Sequence, residues 1–443
     1  MKINIKFILI VTILALVLRL AFNLYYGFNA SPGIDGIVLD RIAHNLTTGH
    51  GYSNFPDVPT AKKPPAFILI ISLIYKMFGP HNYIAVRIFL IILSSITPAL
   101  VYLIAGNIFI GSVHEPSSRS IPKISALLTA ISPLLIYNSW WFLSNTFMYF
   151  ILALGVYLML LPRDKLNLPV LLGSGLCLGI TTLSIQYGTA FYLPLPFIWL
   201  YFSRPKYWLK RSAIITLGIM IPLSIWITRN YYVYESFIYN NTESGIRFWG
   251  GNNPKADGNW TPWIGSARFY FDSQKPGWGN SSNWIDLSDK MSTPFQDLVL
   301  NKKDILSEPE INEHYFSLGI KWIKDNPRDY LKLMGNKILI FWHPFSKHSV
   351  SPFLSGGFRK TSFLFELFIL PFFIIGVIYS IKQWKNYTFL YILVVHQIFI
   401  GLYHFGDIQQ RMRIGNYILI FSAIGIYFIK NCLHNFTKMQ KNK

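Results

Sequence analysis

The run Phe7-Ile8-Leu9-Ile10-Val11-Thr12-Ile13-Leu14-Ala15-Leu16-Val17-Leu18 decides the kind of fold that this chain adopts. Lys2 and Lys6 precede it, and after Arg19 mostly apolar residues continue to Phe28. An apolar stretch of this length predicts a helix that crosses a bilayer. Since no small-residue cleavage site follows, we interpret it as an uncleaved first helix rather than a signal peptide.

The composition places the whole chain in the same class. Of the 443 residues, 52% are hydrophobic, 17% aromatic and only 14% charged, whereas a soluble domain carries roughly 25% charged residues. Further apolar runs predict an all-α polytopic membrane protein with about 10–12 transmembrane helices. The predicted helices are at about 4–28, 83–106, 121–138, 143–161, 169–187, 189–202, 211–228, 361–381, 387–403 and 412–430. Two shorter apolar segments, at about 64–79 and 337–345, are expected to be interfacial or re-entrant.

The formal charge of +20 suggests two kinds of partner, nucleic acid or membrane lipids. The short segments between predicted helices explain it without nucleic acid, because basic residues concentrate on the cytoplasmic side of membrane proteins. This rule places both termini in the cytoplasm. The segments that it assigns to that side are Arg163 to Lys165, Arg204 to Arg211, Lys382 to Lys385 and Lys430 to Lys443.

The predicted topology divides the chain into three parts. Residues 1–228 are expected to form an N-terminal transmembrane module, with an extracytoplasmic first loop at 29–82. Residues 229–360 form a mixed extracytoplasmic loop domain, in which Glu308 to Met334 has helical spacing of apolar residues. Residues 361–443 hold the last transmembrane helices and a basic tail. The two cysteines, Cys177 and Cys432, have no metal-ligand spacing, so no disulfide or zinc site is expected.

An acidic residue follows the first helix in Ser31-Pro32-Gly33-Ile34-Asp35-Gly36. Apolar residues from Ile37 to Leu46 have helical spacing, which places Asp35 at or near a helix start, where a negative charge is favoured. Two interpretations stay open: an N-cap without a chemical role, or a general base at the membrane surface. Asp40 is a second candidate acid, about one and a half turns further on, and is expected on a different face.

Several cations are predicted on the outer side, where the positive-inside rule leaves few. Lys62-Lys63-Pro64-Pro65 precedes an apolar segment, and lysine at a helix N-terminus favours anion binding, although contact with lipid headgroups is the alternative. His404 and Asp407, in the last outer loop, are candidates for contacts with an acceptor or for a second acid. The cations that we expect to converge near Asp35 and bind an anionic headgroup are Lys62, Lys63, Arg229, Arg411 and Arg413.

A series of motifs runs nearly end to end along the chain. They are the Asp35 loop, Ala43-His44-Asn45-Leu46, Gly49-His50-Gly51-Tyr52, Pro59 to Pro65, Tyr75 to Gly79, Val86-Arg87, Trp226 to Asn230, Trp249 to Pro254, Asn326-Pro327 with Tyr330, and Arg411-Met412-Arg413. In this order they resemble the GT-C superfamily of glycosyltransferases, and specifically its protein O-mannosyltransferase and aminoarabinose-transferase branch.

The resemblance implies a GT-C fold and an enzyme of the cell membrane, plasma or inner, with an extracytoplasmic active site. It implies a polyprenyl-phosphate sugar donor and a lipid, glycan or protein acceptor. Asp35 takes the position of the family's catalytic base, and Lys63 that of the lysine on the lipid phosphate. Arg229, Arg411 and Arg413 correspond to further phosphate or sugar contacts.

The chain also departs from the family pattern. Asn145 stands in Ser144-Asn145-Thr146 where many relatives have an acid. Some relatives bind a divalent metal with an acid before the lysine, and Lys62 occupies that place here. We therefore expect no metal and no other cofactor.

Other functions stay open. A flippase or transporter for a lipid-linked sugar would place ionisable residues near the membrane midplane. In the predicted helices Glu366 is the main acidic residue of that kind. A polysaccharide polymerase or ligase would also use arginines in outer loops. The Asp35 loop and Lys63-Pro64 favour the glycosyltransferase, with in-line attack and inversion at the anomeric carbon.

Overall fold

The computed structural model describes residues 3–110, 120–161, 167–185, 208–259, 307–344 and 356–441. Sixteen helices and one two-stranded hairpin lie within these ranges. The helices are α1 (Ile5–Tyr26), α2 (Gly33–Thr47), α3 (Pro65–Phe78), α4 (Tyr83–Ile110), α5 (Ser120–Ile131), α6 (Pro133–Trp140), α7 (Asn145–Met159), α8 (Leu168–Thr182), α9 (Trp208–Tyr234), α10 (Ser244–Gly251), α11 (Glu308–Asp325), α12 (Pro327–Trp342), α13 (Gly356–Ile381), α14 (Trp384–Tyr403), α15 (Ile408–Met412) and α16 (Gly415–Lys441). The hairpin pairs β1 (Ser53–Phe55) with β2 (Val58–Pro59) in antiparallel orientation.

Six of the described helices are long and apolar enough to cross a membrane, or seven if the bent pair α5 and α6 forms one span. They are α1, α4, α9, α13, α14 and α16. Only 17% of the apolar window of α1 and 28% of that of α13 is buried within the protein. Since such surface is unfavourable in water, it faces lipid. The predicted all-α polytopic fold is confirmed, while the helix predicted at 189–202 lies outside the described residues.

Two predicted helices are broken at a proline. The segment 121–138 forms α5 and α6, which bend by 48° at Ser132, just before Pro133. The helical stretch predicted from Glu308 to Met334 breaks at Asn326, which has φ −131° and ψ 55°. A residue before proline disfavours the α conformation, whereas proline fits the first turn of the helix that follows. These two breaks are corrections to the predicted helix boundaries.

The two short apolar segments are also resolved as helices. The first is α3, whose 14 residues are too few to cross a bilayer alone. The second, predicted at 337–345, is the last part of the 16-residue α12, which ends at Trp342 before His343-Pro344.

A buried arginine fixes the chain between α1 and α2. The Arg87 guanidinium of α4 donates hydrogen bonds to the carbonyl oxygens of Phe28, Ala30 (2.8 Å) and Trp140 (3.1 Å). Arg87 is 1% exposed, so these carbonyls replace the water that its charge would otherwise bind. The start of α2, which carries Asp35, is therefore held against α4 and α6.

Candidate active site at the start of helices α2 and α3

Asp35 lies in the first turn of α2. Pro32, and not Asp35, occupies the N-cap position, so the interpretation of Asp35 as the N-cap is wrong. The Asp35 side chain is 47% exposed, and its Oδ1 lies 3.4 Å from the Nζ of Lys63. The structure thus brings together the predicted base and the predicted phosphate-binding lysine.

Lys63 stands two residues before the start of α3 and is buried, with 2% of its side chain exposed. Its Nζ lies 3.1 Å from the Oε2 of Glu243, a carboxylate that is 7% exposed. A buried ammonium needs such an ionised partner, because burial removes its hydration. Lys63 is therefore held between one buried and one half-exposed carboxylate.

The charges continue from Glu243 to α10. The Nη2 of Arg247 lies 3.2 Å from the same Oε2 of Glu243, one helical turn further on. Asp35, Lys63, Glu243 and Arg247 thus form a series of alternating charge, which we call the Lys63 cluster. It joins the segment between α1 and α3 to the segment that leads into α10.

A second carboxylate, Glu308 at the start of α11, fixes the loop before Lys63. Its oxygens accept hydrogen bonds from the Thr60 hydroxyl (2.8 Å), the Ala61 amide (2.8 Å) and the Thr242 hydroxyl (3.0 Å). The Tyr234 hydroxyl donates to the same carboxylate at 3.3 Å. Glu308 therefore clamps the loop of Lys63 to the segment that leads into Glu243.

Arg229 braces this loop from α9. Its guanidinium donates to the carbonyl oxygens of Thr60 (2.9 Å) and Tyr52 (3.1 Å) and lies over the rings of Tyr52 (5.4 Å) and Trp226 (5.2 Å). Burial raises the pKa of Tyr52 well above its usual value, so the phenol stays protonated. It donates a hydrogen bond to the carbonyl of Lys63 at 2.8 Å. Arg229 thus positions Lys63 through Tyr52, and its predicted contact with phosphate stays a prediction.

Lys62 and Asp40 have different surroundings. Lys62 is half-buried beside Lys63, and its backbone amide donates to the Thr60 hydroxyl at 3.2 Å. Asp40 is 5% exposed and accepts hydrogen bonds from the hydroxyls of Tyr75 and Tyr83 and from His81 Nδ1. Because these partners occupy a buried carboxylate, Asp40 serves to hold α2 against α3 and α4.

Arg411 does not join the Lys63 cluster. Its Nη2 lies 2.8 Å from Glu366 Oε2, and its Nη1 donates to the carbonyls of Phe341 (2.8 Å) and His343 (3.0 Å). Arg411 is 2% exposed. A buried cation that is matched by a carboxylate serves to link α12, α13 and α15. The expectation that Arg411 converges with the other cations near Asp35 is therefore corrected.

The rest of the segment between α14 and α16 is largely buried. His404 is fully buried, and burial together with the positive charges of Arg247, Lys337 and Arg413 lowers its pKa well below the usual value. This favours a neutral imidazole, and the role of His404 as a second acid or as a contact with an acceptor stays a prediction. Arg413 Nη1 donates to the Gln410 side chain at 2.6 Å.

Asp407 has a structural position. It is the N-cap of α15, and its Oδ1 accepts from the Gln409 amide at 3.1 Å. Such a cap satisfies an amide that has no partner within the helix. A contact between Asp407 and an acceptor stays a prediction.

Sequence reasoning missed Glu243, Arg247 and Glu308. All three lie beyond residue 229, far along the chain from the loop that precedes α3, and Glu243 is 180 residues from Lys63. The sequence did contain one indication of these residues. Acids are scarce on a chain with 40 basic and 20 acidic residues, so each acid is a candidate partner for a buried cation.

A metal site would need several ligating side chains close together. Within the described ranges, no three His, Cys, Asp or Glu side chains gather into a group that could hold one. The two carboxylates beside Lys63 both face its ammonium. A metal-independent reaction stays a prediction.

A part of the chain that contains Lys63 matches a known protein family. Residues 62–232, which include Lys63 and Arg229, match the family described as dolichyl-phosphate-mannose-protein mannosyltransferase. No curated protein matches the chain by sequence. The apo oligosaccharyltransferase of Archaeoglobus fulgidus has a similar structure, with a TM-score of 0.55 and 13% identity over 99% of this chain and 52% of that one. The same archaeal enzyme, AglB, in complex with an inhibitory peptide and a dolichol-phosphate gives 0.52, with the same identity and coverage.

The chain has the GT-C glycosyltransferase fold. The resemblance to this superfamily is confirmed by the matched segment and by the fold. ArnT from Cupriavidus metallidurans, bound to undecaprenyl phosphate, gives a TM-score of 0.41 at 12% identity over 95% of this chain and 77% of that one. At 13% identity the archaeal likeness shows the fold alone, and this chain spans about half the length of that enzyme.

Proposed function

We propose that this GT-C protein transfers a sugar from a polyprenyl-phosphate-linked donor to an extracytoplasmic acceptor, with Asp35 as general base. The observation that carries the proposal is the Asp35 carboxylate 3.4 Å from the buried ammonium of Lys63, at the start of two neighbouring helices. A base and a phosphate-binding cation at one site are the two groups that such a transfer needs.

In the proposed reaction Asp35 accepts a proton and Lys63 stabilises the leaving group. The acceptor oxygen forms a bond to the anomeric carbon and gives its proton to Asp35. The bond between the anomeric carbon and the phosphate oxygen breaks, and its electron pair stays on the phosphate. Lys63 stabilises the negative charge that develops there. Direct attack opposite the leaving group inverts the configuration at the anomeric carbon.

The donor class has support from the family match and the shared fold. The matched family is described by its dolichyl-phosphate-mannose donor, and one structure of similar fold holds dolichol-phosphate. The apolar surfaces of the spans give a polyprenyl tail access from the bilayer. The acceptor is a lipid, a glycan or a protein; the structure of the archaeal oligosaccharyltransferase tethered to an acceptor peptide supports the last of these.

The orientation is also part of the proposal. The basic segments place both termini in the cytoplasm and the Lys63 cluster outside. The site then works at the outer surface of the cell membrane. Because Lys62 stands where some relatives have a metal-binding acid, we propose that the reaction needs no metal ion.

The test is transfer of labelled sugar by purified protein in proteoliposomes. Polyprenyl-phosphate sugars serve as donors and crude membrane extracts as acceptors. We expect the wild type to label an acceptor and Asp35→Asn to lower the rate roughly 100-fold or more, as loss of a general base does. Label that crosses the bilayer without transfer, with both proteins, would instead identify a flippase. If Asp35→Asn transfers at the wild-type rate, the assignment of the base is wrong.

A further inference from the structure

In the Lys63 cluster, the ammonium of Lys63 forms ion pairs with two carboxylates. Lys63 Nζ lies 3.1 Å from Glu243 Oε2 and 3.4 Å from Asp35 Oδ1. The Glu243 side chain is 7% exposed and that of Asp35 is 47% exposed. The two contacts of Lys63 therefore differ in burial, with Glu243 on the inner side and Asp35 toward solvent.

The inner contact is the stable one. Glu243 also pairs with Arg247 at 3.2 Å, and its backbone amide donates to the Asn241 side chain at 2.9 Å. Breaking a buried ion pair leaves an uncompensated charge, whereas an exposed pair contributes little. An anion that approaches Lys63 should thus replace Asp35 rather than Glu243.

On the basis of the proposed function, we propose that the donor's phosphate displaces Asp35 from Lys63, while Glu243 keeps the ammonium in place. Asp35 is then released from its cation and is ready to take the acceptor proton. In the resting site the base is masked. Donor binding consequently precedes activation of the acceptor, and Lys63 couples the two events.

The exchange can be distinguished from a model in which Asp35 and Lys63 act independently, because the two models predict different phosphate binding when Asp35 is replaced. If Asp35 acts only as a base, its replacement leaves phosphate binding unchanged. If Asp35 competes with phosphate for Lys63, its neutralisation strengthens phosphate binding. The variant that loses catalysis should therefore gain affinity for the leaving group of the reaction.

The experiment measures binding of undecaprenyl phosphate to purified protein in nanodiscs of zwitterionic lipid, for the wild type, Asp35→Asn and Asp57→Asn. Asp57 is the matched control, because it lies in the same outer loop, is 78% exposed and pairs with His50 at 3.2 Å rather than with Lys63. We expect Asp35→Asn to bind roughly two- to fivefold more tightly, as release of a half-exposed ion pair predicts. Asp57→Asn should bind like the wild type.

The possible outcomes separate the inference from the function. Unchanged or weaker binding by Asp35→Asn overturns the inference and leaves the proposed transferase intact. Equal gains for both variants also overturn it, because they indicate a general effect of charge. A folded wild type that does not bind undecaprenyl phosphate overturns both. Melting temperatures of the three proteins establish that each is folded.

Discussion

At the scale of single residues, the Lys63 ammonium joins the Asp35 carboxylate at the start of α2 to Glu243, just before α10. Asp35 was recognisable as an acid just after an apolar run, and Lys63 as a cation before two prolines. Glu243 belongs to a loop without periodicity, and its contact with Lys63 spans 180 residues. Such a pairing depends on tertiary structure, which local patterns do not encode.

The two adjacent lysines give a prediction at this scale. Lys63→Ala should weaken binding of undecaprenyl phosphate roughly tenfold or more, because Lys63 is buried and held by Glu243, and charge-assisted contacts of such groups are strong. Lys62→Ala removes the same charge next to it and should cost roughly threefold or less. Binding in nanodiscs checks both variants. A larger loss for Lys62→Ala would reassign the phosphate contact.

At the scale of helices and loops, the presence of a helix was easier to predict from the sequence than a break within it. Apolar runs predicted α1 and α4 within a few residues, whereas α9 continues to Tyr234, beyond its predicted end at 228. The breaks at Ser132 and Asn326 were missed, although the proline after each of them was in the sequence. The packing of α10 against the last outer loop was also missed, since it depends on the absence of a side chain at Gly251.

That glycine gives a prediction at the scale of elements. A Cβ at Gly251 would lie 1.5 Å from the carbonyl oxygen of His404, so Gly251→Ala must push α10 away from this loop. We expect a melting temperature several degrees lower in detergent, and weaker donor binding, because α10 carries Arg247. Gly335→Ala is the control: nothing lies within 4 Å of its Cβ, and alanine favours a helix. Equal melting temperatures for the two variants would contradict the close packing.

At the scale of the whole molecule, the membrane class followed from composition, whereas the arrangement of the cations did not. Length and hydropathy support the spans, and among the described residues only 17% of the apolar window of α1 and 28% of that of α13 is buried. Of the cations expected near Asp35, Lys63 lies 3.4 Å from its carboxylate, whereas Arg411 pairs with Glu366 at 2.8 Å. Positive charge alone does not distinguish a ligand-binding arginine from one that links helices.

The two native cysteines test the orientation of the molecule. Cys432 is exposed near the end of α16, and Cys177 is half-buried in α8. An impermeant maleimide should label Cys432 in inverted vesicles and not in right-side-out vesicles, with Cys177 unlabelled in both. Ser31→Cys, at an exposed position before α2, should show the opposite pattern in a Cys432→Ala background. Labelling of Cys432 from outside would reverse the topology and place the site in the cytoplasm.

The most direct measurement of the central claim is the stoichiometry of sugar transfer in proteoliposomes. Labelled sugar on the acceptor and free polyprenyl phosphate are counted in the same reaction for the wild type, Asp35→Asn and Asp57→Asn. A glycosyltransferase with Asp35 as base predicts equal amounts of the two products for the wild type and for Asp57→Asn, and almost none for Asp35→Asn. Intact donor recovered on the other side of the bilayer, with no polyprenyl phosphate released, would contradict it.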